Sequence, residues 1–154
     1  MHIKGIALRA HSRGDMQLLT QSRVTRAAGV EGDFRGRPSS RQVTVLSESS
    51  WRKTCAELGV DLPWHTRRAN LLLSDYEFDI ADLGQIIQIG QLKLRISRET
   101  MPCRRMDELH PGLTAALRPE WRGGVCCRVM ESGEIHVGDE AHIVRADALS
   151  QPAA

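Results

Sequence analysis

Short segments in which apolar and polar residues alternate recur along the chain and predict a structure built mainly from strands. Over residues 41–46, for example, apolar Val43 and Val45 alternate with polar residues, as in a half-buried strand. Residues 11–41 contain scattered glycine and proline and are predicted to be mainly loops. Further strands are predicted at residues 2–10, 71–73, 86–89, 91–96, 125–130, 134–137 and 140–144. About eight short strands with few helices indicate a mostly β fold closed into a β-barrel.

One segment has the spacing of a helix instead. Trp51, Cys55 and Leu58 recur at helical intervals, so we expect them to form the buried face of a main helix near residues 48–58. A serine is available to cap the start of this helix and a glycine to end it. Helices elsewhere are predicted to be short and peripheral, as at residues 111–117.

The chain of 154 residues is expected to form one domain over residues 1–147, followed by a frayed tail at residues 148–154. Its apolar content of 41% and charged content of 26% are those of an ordinary globular protein. No run approaches the roughly 20 apolar residues that a membrane helix needs, and the N-terminus has no apolar signal core. We therefore expect a cytoplasmic protein with reduced cysteines and no membrane association.

Positive charge is carried almost entirely by arginine. Lys4, Lys53 and Lys93 are the only lysines among 21 basic residues. Arginine suits bidentate binding of phosphate and carboxylate, so arginines that cluster near other signals are candidates for binding an anion. The net charge of +2 is small, whereas a dedicated nucleic-acid-binding protein is expected to have a pronounced basic patch. We therefore expect no nucleic-acid partner.

A single thiol in residues 100–106 (TMPCRRM) is the main candidate for chemistry. Cys103 comes directly after Pro102, which should end the preceding strand, and directly before two arginines. A side chain at the end of a strand can face a cleft, and nearby guanidinium groups favour the reactive thiolate. A buried, inert cysteine is an equal alternative, because free cysteine is often buried. A cysteine–histidine hydrolase is a weaker one, with His110 the near candidate for its histidine.

Arg68 and Asn70 stand just before the apolar run Leu71–Leu73, which is typical of a strand buried on both faces. If both belong to that strand, their side chains point to the same side, because they are two residues apart. A guanidinium and a carboxamide side by side could bind an oxyanion or the edge of a pterin. They could equally cap the start of the strand.

Several short motifs, taken in order, resemble those of the MOSC domain, which is found at the C-terminus of molybdenum-cofactor sulfurases. The resemblance runs from about Ile3 to Val144 and rests mainly on the order of the motifs. They are Gly29–Asp33 (GVEGD), Arg41–Thr44 (RQVT), Arg68–Leu71 (RANL), Ile89–Gly90, Pro102–Cys103, Arg122–Gly124 (RGG) and Gly133–Asp139 (GEIHVGD).

The resemblance implies a β-rich barrel of the pyruvate-kinase type that binds a molybdenum cofactor or carries sulfur. It also implies that Cys103 bears the sulfur or binds molybdenum, and that Arg68 and Asn70 lie near the pterin and its phosphate. Further candidates for the anionic part of the cofactor are Arg41, Arg104 and Arg122.

The resemblance also bears on partners. Larger members of the family carry a separate pyridoxal-phosphate cysteine desulfurase domain, for which 154 residues leave no room. We therefore expect no pyridoxal phosphate on this chain alone, and a cysteine desulfurase or a redox protein as a partner.

The predicted function is that of a domain that binds molybdopterin or another anionic small molecule and uses Cys103 as a sulfur carrier or molybdenum ligand. Such a domain would act as a sulfur transferase or as a component of a molybdenum-dependent oxidoreductase. The alternative is a non-catalytic β-barrel module that binds a protein partner or a small anion.

Overall fold

Short strands predominate over helices within residues 1–145, which the computed structural model describes. The strands are β1 (Ile3–Leu8), β2 (Gln17–Leu19), β3 (Gln21–Thr25), β4 (Gly29–Val30), β5 (Val43–Ser47), β6 (Leu71–Leu73), β7 (Ile86–Ile89), β8 (Leu92–Glu99), β9 (Val125–Glu131), β10 (Gly133–His136) and β11 (His142–Val144). The α-helices are α1 (Glu48–Leu58), α2 (Arg105–Leu109) and α3 (Leu113–Leu117), and 3₁₀ turns occupy Trp64–Arg67, Ile80–Asp82 and Pro119–Trp121. The predicted mostly β fold with few helices is confirmed. The predicted frayed tail at residues 148–154 lies outside the described residues.

Eight strands form one sheet in the order β11-β7-β8-β9-β5-β6-β1-β2, and β10-β3-β4 form a second, smaller sheet. Neighbouring strands are antiparallel except β5 and β6, which run parallel with Val45 opposite Leu71. Parallel neighbours need a crossover connection, and α1 lies in the connection between these two strands. No described helix is long and apolar enough to cross a bilayer.

Local signals set both ends of α1. The side chain of Ser47 accepts a hydrogen bond from the amide of Ser50, which satisfies a donor in the first turn. Gly59 ends the helix in the left-handed conformation, with φ of 66°. The predicted main helix and its caps are therefore confirmed.

The predicted closure of the strands into a barrel is wrong. Strands β11 and β2 are the two edges of the large sheet, and they do not pair with each other among the described residues. An isolated bridge between His2 and Glu140 joins the start of β1 to the segment before β11, but no ladder develops from it within residues 1–145. A barrel requires its first and last strands to pair. Alternation of apolar and polar residues identifies strands, but it does not determine which strands meet.

The large sheet has a hydrophobic core on each face. Leu71 and Leu73 pack into the core that includes residues of the smaller sheet, whereas Leu72 between them packs with Trp51 of α1 and Leu113 of α3. This confirms that β6 is buried on both faces. The helices therefore cover one face, and the smaller sheet contributes to the other core.

We expect Leu72→Ala to lower the free energy of unfolding by about 2–5 kcal/mol, because truncating a buried leucine leaves a cavity. Leu18 of β2 is the matched control, since 58% of its surface is exposed. Leu18→Ala should cost less than about 0.5 kcal/mol. Urea denaturation followed by circular dichroism measures both. Equal losses for the two variants would contradict the assignment of Leu72 to the helix-facing core.

Candidate functional site

A cavity of about 150 Å³ is lined by segments that flank five neighbouring strands of the large sheet, β8, β9, β5, β6 and β1. Arg9 follows β1, Arg41 precedes β5, and Gly123 lies just before β9. Residues 67–69 precede β6, and Cys103 lies in the loop after β8. The sheet therefore brings together residues that are far apart in sequence.

The charged residues that line this cavity are all arginines. None of them forms an ion pair with a carboxylate within residues 1–145. Like charges in a partly enclosed space repel one another unless an anion balances them. The six arginines are Arg9, Arg35, Arg41, Arg67, Arg68 and Arg105.

Arg67 is the most buried of the six, with 6% of its surface exposed. Its Nε donates to the carbonyl oxygen of Gly123 at 3.1 Å, and a terminal nitrogen donates to the carbonyl oxygen of Thr100 at 3.0 Å. Its other terminal nitrogen lies 3.6 Å from Sδ of Met106. Arg67 therefore joins the segment before β9 to both ends of the loop that carries Cys103.

The pKa values of three cavity arginines reflect burial and mutual repulsion. Burial lowers the pKa of Arg67 to about 10, and repulsion from Arg41 contributes. The pKa of Arg68 is lowered by burial and then by Arg105, and that of Arg9 by burial and then by Arg68. A guanidinium with a pKa of about 10 stays cationic at neutral pH. The cavity therefore keeps concentrated positive charge.

Two of the six arginines have a buried donor without a partner among the described residues, namely Nε of Arg41 and Nε of Arg68. A buried N–H group that lacks an acceptor costs about 1–3 kcal/mol, and native proteins rarely leave one. A terminal nitrogen of Arg68 donates to the carbonyl oxygen of Gly14, which helps to orient that guanidinium. An anion in the cavity would supply acceptors for both Nε groups.

Cys103 lines the same cavity and is exposed. Strand β8 ends at Glu99, so the predicted end of the strand near Pro102 is confirmed. The carbonyl oxygen of Cys103 accepts a hydrogen bond from the hydroxyl of Thr114 at 2.8 Å, which ties its loop to α3. The alternative of a buried thiol is therefore wrong for Cys103. The other cysteines, Cys55, Cys126 and Cys127, are all buried.

The two glycines before β9 are explained by close packing of the backbone. A Cβ atom at Gly123 would lie 2.4 Å from the carbonyl oxygen of Thr100, and one at Gly124 would lie 2.2 Å from that of Val45. Gly124 also has φ of 91°, a conformation that side chains disfavour. Together they let the segment before β9 lie against both β5 and the loop after β8.

Arg68 and Asn70 precede β6 rather than lie within it. Arg68 follows the 3₁₀ turn with φ of 66°, so the argument from strand alternation does not apply to this pair. Asn70 borders a smaller cavity of about 20 Å³, which Arg68 also lines. Its Oδ1 accepts from the amide of Thr44 at 3.0 Å, and its Nδ2 donates to the carbonyl oxygen of Ala7 at 3.1 Å. Asn70 thereby links β5 to β1 beside the arginines.

Asp33, at the end of the Gly-x-x-Gly-Asp motif, organises two cavity arginines through their backbones. Its Oδ1 accepts from the amide of Arg9 at 3.1 Å, and its Oδ2 accepts from the amide of Arg35 at 3.0 Å. Nδ2 of Asn70 donates to the same carboxylate at 3.3 Å. The carboxylate is thus engaged by backbone amides and a carboxamide, and it forms no ion pair with a guanidinium within residues 1–145.

Two arginines predicted from the sequence do not line the cavity. Arg104 is exposed just before α2, where the next residue, Arg105, reaches the cavity instead. Arg122 pairs with Glu57 at 2.8 Å and donates to the carbonyl oxygen of Ala116 at 3.2 Å, which joins α1 to α3.

Sequence reasoning missed four of the six cavity arginines. Arg67 is adjacent to a predicted site residue, and a pair of arginines before a buried strand was the available signal for it. Arg105 stands two residues after Cys103, but the sequence does not reveal which way its side chain points. Arg9 and Arg35 had no local signal that distinguished them from other arginines. The four missed residues are Arg9, Arg35, Arg67 and Arg105.

Solved structures that share this fold include YuaD and two YiiM proteins. YuaD from Bacillus subtilis is 18% identical, with a TM-score of 0.75 over 92% of this chain and 94% of that one. YiiM from Geobacillus stearothermophilus is 17% identical, with a TM-score of 0.76 over 94% of this chain and 75% of that one. YiiM from Escherichia coli is 13% identical, with a TM-score of 0.69 over 94% of this chain and 70% of that one. At these identities the likeness concerns the fold alone.

No curated protein matches the chain by sequence. The family model of the MOSC domain, however, matches residues 15–142. This range includes Arg41, Arg67 and Arg68 and the loop that carries Cys103, so the match spans most of the candidate site. The chain therefore belongs to the MOSC domain family.

Proposed function

We propose that this chain binds the anionic part of a molybdenum cofactor in its arginine-lined cavity and presents the Cys103 thiol beside it. The thiol serves either as a sulfur carrier or as a ligand to molybdenum. Membership of the family supports, in general terms, a domain that is related to the molybdenum cofactor and binds sulfur or molybdenum. The finer assignment rests on one observation, the grouping of unpaired arginines next to an exposed cysteine.

The residues of the cavity fit an anionic group. Arg41 and Arg68 each have a buried Nε without a partner among the described residues, and charge-assisted hydrogen bonds to phosphate would satisfy both. Arg105 adds a further cationic group to the lining. These arginines would hold the phosphate, and Cys103 would offer a thiolate, which suits a soft metal. The cofactor, when bound, would supply redox chemistry that protein side chains lack.

Sulfur transfer needs a donor, for which a persulfide on a cysteine desulfurase is the natural chemical class. The thiolate of Cys103 attacks the outer sulfur of that persulfide, the S–S bond of the donor breaks, and the donor cysteine leaves as a thiolate. The outer sulfur and its proton pass to Cys103, so atoms and charge balance. Arg67 and Arg105 line the same cavity as Cys103, so positive charge lies near the sulfur that is transferred.

A small anion is the second candidate ligand, and the size of the cavity favours it. Its volume of about 150 Å³ lies below the roughly 300–1,000 Å³ of pockets that enclose a drug-sized ligand. An ion the size of phosphate would fit completely, whereas a cofactor would leave its larger part outside the cavity.

Protein purified from a host that makes the molybdenum cofactor is expected to contain molybdenum and pterin. Arg68→Ala should weaken cofactor binding by ~1.5–3 kcal/mol, because a hydrogen bond to a charged group is lost. Cys103→Ser should abolish any bound persulfide or molybdenum. Elemental analysis measures the molybdenum content, fluorescence measures the pterin content, and intact-mass spectrometry detects the persulfide.

Arg118→Ala is the control for the loss of one positive charge, since Arg118 is exposed and does not line the cavity. It should keep the cofactor content of the wild type. Unchanged content in Arg68→Ala would remove Arg68 from the site. Wild-type protein without molybdenum, pterin or persulfide would contradict the proposal and leave the small anion as the ligand.

Iodoacetamide labelling followed by mass spectrometry should modify Cys103 first in the folded protein, because it is the exposed thiol. Cys127 should label slowest, since complete burial raises its pKa well above the usual range. Labelling in urea is the control, in which all four cysteines should react at similar rates. If Cys55 reacts as fast as Cys103 without urea, Cys103 is too enclosed to exchange sulfur with a partner protein.

A further inference from the structure

Strands β8 and β9 carry a second group of arginines, outside the arginine cavity. Arg95 of β8 and Arg128 of β9 are both exposed and stand directly opposite each other in the antiparallel ladder. Together with Arg26, from the loop between β3 and β4, they line a basin of about 670 Å³, the β8–β9 basin. Its other lining residues are Ala27, Pro38, Val129 and Met130.

The pairing of Arg95 with Arg128 differs from the neighbouring pair of the same ladder. Two residues along β8, Lys93 stands opposite Glu131, and their side chains form an ion pair of 2.9 Å. Like charges directly opposite each other destabilise a sheet. None of the three basin arginines forms an ion pair with a carboxylate within residues 1–145. The unbalanced pair therefore lowers the stability of the sheet unless an anion lies over it.

The backbone of the β8–β9 basin is fixed by the side chain of Gln42, which is only 1% exposed. Its Nε2 donates to the carbonyl oxygen of Arg26 at 2.8 Å, and its Oε1 accepts from the amide of Val129 at 2.9 Å. The amide of Arg26 also donates to the hydroxyl oxygen of Ser132 at 2.9 Å. The loop that carries Arg26 is therefore held against β9 before any ligand binds.

The composition of the basin distinguishes between classes of polyanion. Guanidinium groups bind carboxylate and phosphate equally well in a bidentate geometry. Single-stranded nucleic acids also stack their bases on aromatic side chains, and none of the residues that line this basin is aromatic. Apolar contacts are available instead, from Pro38 and from Met130, which is 42% exposed. A protein segment that offers both carboxylates and apolar side chains fits this lining.

We propose that the β8–β9 basin binds an acidic segment of a partner protein. Carboxylates of that segment pair with Arg26, Arg95 and Arg128, and an apolar side chain of the same segment packs against Pro38 and Met130. The inference goes beyond the proposed function and does not depend on the ligand of the arginine cavity, because none of these five residues lines that cavity.

Fluorescence anisotropy with the full chain and labelled peptides tests this assignment. The probe is a short peptide of repeated Glu-Glu-Leu, and a peptide of repeated Gln-Gln-Leu is its control. The acidic peptide should bind in about 50 mM salt and be released as the salt concentration rises, because ions screen exposed charges. The uncharged peptide should not bind. Equal binding of the two peptides, or no binding of the acidic one, would overturn the proposal.

Variants that remove one charge locate the bound peptide. Arg95→Gln and Arg128→Gln should each weaken binding of the acidic peptide roughly 2- to 5-fold, the range expected for an ion pair at an exposed site. Arg118→Gln is the matched control, because Arg118 is exposed and does not line the basin, and it should leave the affinity unchanged. Both basin variants should melt at or above the wild-type temperature, because a like-charge pair is removed. A lower melting temperature with unchanged peptide affinity would make the two arginines structural and exclude the basin.

Two further measurements separate the basin from the arginine cavity and from a nucleic-acid site. Arg41→Gln removes a cavity arginine and should leave the peptide bound; if it weakens binding more than Arg128→Gln does, the peptide lies in the cavity and the inference is wrong. A labelled single-stranded oligonucleotide that binds more tightly than the acidic peptide, and is released by Arg128→Gln, would make nucleic acid the occupant instead. Neither result changes the test of the proposed function, which is the cofactor content of the purified protein.

Discussion

The hydrogen bonds of the buried Arg67 guanidinium to two backbone carbonyl groups are the contacts on which the site depends. They join the segment before β9, at Gly123, to the loop after β8, at Thr100. Because the acceptors are neutral carbonyl groups, Arg67 positions the Cys103 loop without losing its own charge. One residue therefore both holds the thiol at the cavity and contributes to the positive charge around it. Burial lowers its pKa to about 10, which leaves it cationic at neutral pH.

The neighbouring contacts also hold the backbone in place without neutralising the charge of the arginines. Asp33 accepts hydrogen bonds from the backbone amides of Arg9 and Arg35, and Asn70 links β5 to β1 through backbone groups. Asp33 thus fixes the backbone of two cavity arginines, while the guanidinium groups of the cavity remain without ion pairs among the described residues. Unpaired, mutually repelling charge lowers stability, and such conflicts with local rules are typical of functional sites.

Sequence patterns predicted those parts of the fold whose signals are local. The helix at residues 48–58 has its caps and its periodicity within the segment, and β6 is a continuous apolar run. Strands β2 and β3 were missed because Val24 is their only buried residue and they show no apolar alternation. Barrel closure was predicted wrongly, because pairing of the sheet edges depends on contacts between distant segments.

The candidate site, like the fold, was predicted from the sequence only in part. Cys103 was identified from the proline and arginines beside it, and the structure exposes it at the cavity. Arg122 was a candidate through its Arg-Gly-Gly motif, yet its charge is used in an ion pair with Glu57. Arg9 reaches the cavity only through the pairing of β1 with β6, which the sequence does not reveal.

The central claim is that the cavity arginines serve an anionic ligand rather than the stability of the fold. The most direct measurement is thermal unfolding of the wild type and of Arg41→Met, each with and without phosphate. An anion that binds the folded state raises the melting temperature by mass action, so phosphate should stabilise the wild type. Arg41→Met should melt at an equal or higher temperature without phosphate, because an unpaired charge is removed, and should gain less from phosphate. A lower melting temperature without phosphate, together with the full wild-type gain in phosphate, would make Arg41 a structural residue and contradict the account.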